Sequence, residues 1–180
     1  MTLYKGKYRS ETARLQGHNY GDEGAYFITI NIYKRKALLG KIIDGRMMLS
    51  EFGRLVSEEW TRSFQIRKEL FCEEWAIMPE HLHAIVTIDK SKVKARVESS
   101  VPVPEIGPDN KYGVAYRAPN SISSFVAGFK SAVTKKVNEI RNTPGQPFWQ
   151  PRYHDHIIRN SGEMERIKRY IKDNPKNYKQ

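Results

Sequence analysis

Residues 25–33, AYFITINIY, put Tyr26, Ile28, Ile30 and Ile32 on one side and Phe27, Thr29, Asn31 and Tyr33 on the other. That period of two predicts a β-strand. A small hairpin is expected around Asp44-Gly45, between LLGKII and RMML. After Ser50, a plausible N-cap, the period changes to four: Phe52, Val56, Trp60 and Phe64 mark one face of an amphipathic helix. LFCEEWAIM and HLHAIVTI then read as two strands joined at Pro79-Glu80. Residues 89–120 have no period and carry VPVPEIGPDN, which predicts a long surface insert. From Ser121, the residues Ile122, Phe125, Val126, Phe129, Val133, Val137 and Ile140 form a second helical stripe, with Lys130, Lys135 and Lys136 off it. TPGQP breaks the chain, FWQPRYHDHIIR is expected to be extended, and residues 162–175 to form a last helix that stops near Pro175. The resulting β-α-β-β-α-β order predicts an α+β, ferredoxin-like antiparallel sheet with helices on one face. The C-terminal helix is left over and free to cross the other face.

Composition narrows the function rather than the fold. The 180 residues suit one domain, residues 25–180, preceded by a basic arm over 1–24 with Lys5, Lys7, Arg9 and Arg14. A formal net charge of +11 and a pI near 9.7 favour polyanions, nucleic acid first. No apolar run approaches the roughly 18 residues of a spanning helix, and MTLYKGKYRS does not read as a signal peptide. One cysteine, Cys72, excludes an internal disulfide and a multi-cysteine zinc site, and reads as a core thiol in a cytosolic protein. No internal repeat and no GxxxxGK[ST] loop is present.

Two histidine pairs carry the candidate chemistry. His81 and His83 head the strand 81–88, and in a strand i and i+2 point the same way, with Leu82, Ala84 and Val86 opposite. Two imidazoles so spaced can share a divalent cation, but they need a third ligand. His154 and His156 have the same spacing, so spacing alone does not choose. On the last helix Met164, Ile167 and Ile171 form the apolar stripe, while Tyr170 and Asn174 lie one turn apart on a shared face. A tyrosine phenol, ordinarily with a pKa near 10, is a poor nucleophile at neutral pH unless the phosphate it attacks is polarised. By themselves Tyr170 reads as a packing residue and Asn174 as a helix cap.

GAYFITINIY, MPEHLH, SSFVAGFKS, FWQPRYHDHIIR and YIKDNP, in this order, resemble the REP-associated tyrosine transposases. These are relatives of the single-strand insertion-sequence transposases in the HUH (His-hydrophobic-His) endonuclease superfamily. The resemblance spans roughly residues 10–178. It implies that His81 and His83 are the metal-binding pair, Tyr170 the catalytic nucleophile, Asn174 the third metal-binding side chain, and the last helix catalytic. It also implies Mg²⁺ or Mn²⁺ as cofactor, with Mn²⁺ the better match to two imidazoles. The implied activity is nicking and rejoining of single-stranded hairpin DNA through a 5′-phosphotyrosine. Many relatives carry Asn where this chain has Glu80, which reads as a strand-turn corner. Around such a site Arg152, Arg159, Arg166, Lys168, Arg169, Lys172 and Lys130 become candidate DNA contacts. His154 and His156 are assigned to structure or substrate positioning, and Trp149 and Tyr153 to core packing. The implied setting is a bacterial cytoplasm, with the protein at the nucleoid as monomer or homodimer.

Two other readings stay open. A non-enzymatic module binding hairpin DNA or RNA would be expected to have lost one of His81, His83, Tyr170 or Asn174, and all four are present. A hydrolytic metallonuclease using the HxH pair would release free phosphate ends and form no protein–DNA adduct.

Overall fold

The computed structural model describes residues 3–4, 8–9, 20–92 and 119–178. Most of the basic arm and residues 93–118 of the insert therefore lie outside the described residues; Leu3–Tyr4 pairs with Tyr8–Arg9 in a two-residue ladder. The elements follow in the order β1 (Gly24–Asn31), β2 (Gly40–Ile43), β3 (Arg46–Leu49), α1 (Glu51–Ile66), β4 (Leu70–Met78), β5 (His81–Ile88), α2 (Ile122–Arg141), β6 (His154–Ile158) and α3 (Ser161–Asn177). Strands β4-β5-β1-β6 form one sheet in that order, every pair antiparallel. This is the α+β, ferredoxin-like arrangement the sequence predicts, with the β2–β3 hairpin added beside α1.

Local chemistry accounts for the boundaries. Asp44 and Gly45, both at positive φ (49° and 70°), make the two-residue turn whose twist suits a hairpin. Ser50 caps α1 by accepting from the Gly53 amide at 3.1 Å and ties the cap to the segment leading into the hairpin by donating to the Leu38 carbonyl at 2.7 Å. Gly53 faces the Leu39 carbonyl so closely that a Cβ there would lie 2.1 Å from the oxygen. Ser121 and Ser124 form a reciprocal capping box on α2, and Asn142 closes it in the left-handed conformation.

The sheet separates two apolar groups. Tyr26, Ile28 and Ile30 of β1 and Ile32 just past it, with Leu82, Ala84 and Val86 of β5, pack beneath α1 and α2 against Val56, Trp60, Phe125, Phe129 and Val133. On the opposite face α3 covers a smaller group, Ile85, Ile158, Ile167 and Ile171, flanked by Phe27, Ala76 and Met164. Trp149 is buried and Tyr153 packs against the larger core. Cys72 is half-buried there, its thiol pushed up to about 11 by burial.

Four expectations need correction. Tyr33 is not in the first strand: β1 ends at Asn31 and the chain turns at once. Only His154–Ile158 of the 148–159 stretch is a strand, because Trp149 makes a lone bridge to Ile32 before the chain bends. Ile140 lies on the stripe of α2 yet is largely exposed, since the last turn runs past the core, where Arg141 instead covers Phe52 and Phe148. α3 does not stop near Pro175 but continues to Asn177. Proline removes a single N–H bond in the last turn, where the helix has little left to lose, and Tyr178 anchors the end, as described below.

Candidate active site

Strand pairing builds the site on the α3 face. In β1 the polar positions Thr29 and Asn31 lie opposite His83 and His81 of β5, so all four project to one side of the sheet. The two imidazoles meet edge to face with their Nε2 atoms 2.9 Å apart, and both residues are buried, at 7% and 6% exposure. Each ring is held from behind. His81 Nδ1–H donates to Glu80 Oε1 at 3.1 Å, and His83 Nδ1 lies 2.8 Å from the Thr29 hydroxyl.

This backing decides what the imidazoles can do. Since a carboxylate only accepts, His81 carries its proton on Nδ1 and turns the Nε2 lone pair inward. The Thr29 hydroxyl can accept from His83 in the same way, and then two lone pairs converge on one point, an arrangement favourable only with a cation there. Hydrogen bonds to the remote nitrogen are also what fix a metal-binding histidine's tautomer. Burial lowers both imidazole pKa values, His83 to about 3 with help from His81 and Arg35, so both bases are neutral and ready to ligate at neutral pH. The donor set fits a small divalent cation. Among the described residues no cluster of three His, Cys, Asp or Glu can hold one alone, so further ligands would have to come from an amide, water or substrate.

α3 brings the third component from the same chain. The Tyr170 hydroxyl lies 3.3 Å from His83 Nε2, and the ring packs edge-on to Phe27 and to His83. The residue is 50% exposed, open to a polymeric substrate. Tyr178, two turns on, donates its hydroxyl to Glu80 Oε2 at 2.8 Å. Tyr170, Asn174 and Tyr178 thus succeed one another at four-residue steps, and half-buried Asn174 falls between the turns that touch His83 and Glu80. Glu80 is more than a corner: it joins His81, Tyr178 and the Arg35 guanidinium at 3.3 Å, while Arg35 also donates to Asn31 Oδ1 at 2.6 Å. Pattern reading missed Thr29, Asn31, Arg35 and Tyr178; the available signal was two polar residues on one face of an otherwise apolar strand.

The other candidates fall elsewhere. His154 is opposite Thr29 on the edge strand β6 and exposed, whereas His156 binds Glu163 at the start of α3 at 2.8 Å. The Glu163 carboxyl is held below its usual range, first by the Arg159 amide and then by His156. Lys168 and Lys172 pair with Glu73 and Glu74 of β4 at 3.2 and 3.1 Å, which docks α3 on the sheet. Lys130 donates to the carbonyls of Gln150 and Pro151. Arg166 pairs with Glu163 at 3.5 Å, and Arg152, Arg159 and Arg169 are exposed.

No family model matches the chain. An uncharacterised protein of Haemophilus influenzae is 31% identical over 174 residues, 94% of this chain and 90% of that protein. A solved structure of a REP-associated tyrosine transposase bound to a REP hairpin matches with a TM-score of 0.58 at 21% identity, covering 93% of this chain and 73% of that one. The fold is therefore shared with that transposase. No helix among the described residues is long and apolar enough to cross a membrane.

Proposed function

We propose that this chain, which belongs to one family with the Haemophilus influenzae protein and has the fold of a REP-associated tyrosine transposase, is a metal-dependent nickase and strand transferase of single-stranded hairpin DNA. The observation that carries the reading is the meeting of Tyr170 with the buried His81–His83 pair, the phenol 3.3 Å from His83 Nε2, itself 2.9 Å from His81 Nε2. The hairpin as substrate rests on the solved relative, which was bound to one.

His81 and His83 would hold Mg²⁺ or Mn²⁺, with the Asn174 amide oxygen, one turn beyond Tyr170 on α3, as the third protein ligand. When bound, the ion supplies Lewis-acid polarisation of the scissile phosphate. Tyr170 Oη attacks phosphorus, losing its proton as the bond to the 3′ oxygen breaks. The departing strand leaves with a 3′-hydroxyl and the 5′-phosphate stays on Tyr170. A second 3′-hydroxyl reverses the exchange and rejoins DNA, the two-step logic of covalent catalysis. Glu80 and Thr29 fix the imidazoles, and Tyr178 keeps the helix carrying the nucleophile in register with them.

The test is a denaturing gel of labelled hairpin oligonucleotides from the DNA flanking the gene, incubated with wild type or Tyr170→Phe, in Mn²⁺ or EDTA. A metal-dependent protein–DNA adduct absent from the variant is expected. Cleavage without an adduct, indifferent to the substitution, would mean a hydrolytic nuclease.

A further inference from the structure

Beside the histidine pair, at the end of β1, the chain turns through Tyr33, Lys34, Arg35 and Lys36, four consecutive exposed residues. We propose that this corner is the seat of the single strand flanking the cleaved bond. Tyr33 stacks on an unpaired base, and Lys34, Arg35 and Lys36 take the adjoining phosphates. The ligand class rests on the strand-transfer reading; the place rests on observations of its own.

The corner is built rather than loose. Its backbone is tied by Ile32 N–H to the Glu80 carbonyl at 2.8 Å, Tyr33 N–H to the Phe148 carbonyl at 2.9 Å, and Arg35 N–H to the Ile32 carbonyl at 2.9 Å. Lys34 and Arg35 both sit at positive φ, 56° and 54°, with no glycine between them. Such backbone persists only where its surroundings impose it, and it concentrates at functional sites.

The side chains suit a nucleic acid strand. Arg35 donates from Nη1 to Asn31 and from Nη2 to Glu80, yet remains 55% exposed, with guanidinium donors left for a phosphate. Glu80 Oε1 receives both Arg35 and His81, so the guanidinium is only two hydrogen bonds from the histidine pair. Lys34 and Lys36 have no acidic partner among the described residues, unlike Lys168 and Lys172 on α3. Tyr33 is 37% exposed, with Lys34 Nζ 5.5 Å from its ring centroid. An open aromatic ring flanked by cations is the composition of a single-strand stacking platform.

The test is equilibrium binding of a labelled mixed-sequence single strand and of a blunt duplex across a salt series. Every protein carries Tyr170→Phe so that no bond is cut. Adding Tyr33→Leu should weaken single-strand binding roughly tenfold and leave the salt slope unchanged. Adding Lys34→Gln with Lys36→Gln should lower the log–log salt slope by about 1.4, from about 0.7 per cation. None of these side chains braces the histidines, and melting curves check that each variant is folded. Affinity and slope unchanged from the Tyr170→Phe parent in both variants overturn the proposal, as do losses equal on duplex and single strand. If wild-type protein with Tyr170 intact forms no adduct but binding depends on the corner, the strand-transfer reading falls and the corner stands. An adduct together with corner-independent binding gives the reverse.

Discussion

The two faces of the sheet are different kinds of surface. Under α1 and α2 the strands present a predominantly apolar layer, closed by Trp60, whose ring contacts those of Phe125 and Phe129. Under α3 the apolar group is small, and it shares its face with Thr29, Asn31, Glu80, His81 and His83. Buried polar groups cost stability unless paired, and here the Nδ1 atom of each histidine has a partner, as do Glu80 and Asn31. One face holds the fold together so that the other can carry polar chemistry.

Substitutions separate the faces. The largest effect expected is at Tyr170: replacement by Phe abolishes adduct formation in the gel assay. The melting temperature should stay near wild type, because the residue is half exposed and the hydroxyl's contact with His83 is long. On the opposite face the pattern inverts. Phe125→Ala, which empties a ring packed against Trp60 and Phe64, should cost about 3–5 kcal/mol by chemical denaturation and leave the adduct rate per folded molecule unchanged.

That inversion also explains what could be read from the sequence. Repetition made the apolar face legible: alternate positions in β1 and four-residue steps in α1 and α2 each gave an element and its buried side. The HxH pair and Tyr170 were legible through motif resemblance. Glu80, Thr29, Arg35 and Tyr178 were not, because their partners are 45 to 98 residues away for Arg35–Glu80, Thr29–His83 and Tyr178–Glu80. Those pairings exist only once the strand register and the course of α3 are set. Local rules also overstated Pro175, since a proline ends a helix less decisively in a last turn that is anchored beyond it.

A smaller effect is expected from the bracing of the pair. Thr29→Val keeps the shape of the side chain and removes the hydroxyl 2.8 Å from His83 Nδ1. Mn²⁺ affinity, followed by calorimetry, should fall by about 10- to 100-fold, with little change in secondary structure by circular dichroism. Unchanged affinity would detach Thr29 from the site.

The smallest expected effect is a pH dependence of the metal-free protein. Burial holds His81 and His83 below the ordinary histidine range, His83 at about 3, against about 6.5 in an unfolded chain. Between those limits the unfolded chain binds more protons, so stability falls as pH drops from about 6.5 towards 3 and is fully retained above 6.5. Denaturation curves in chelator should show this slope, flattened in His83→Gln.

The most direct measurement is the identity of the residue left bearing DNA. After reaction in Mn²⁺, nuclease trimming and proteolysis, mass spectrometry should find a nucleotide remnant on the peptide containing Tyr170, attached through a 5′-phosphate. A remnant on Tyr178 instead, or cleaved DNA with free phosphate ends and an unmodified Tyr170 peptide, would contradict the account.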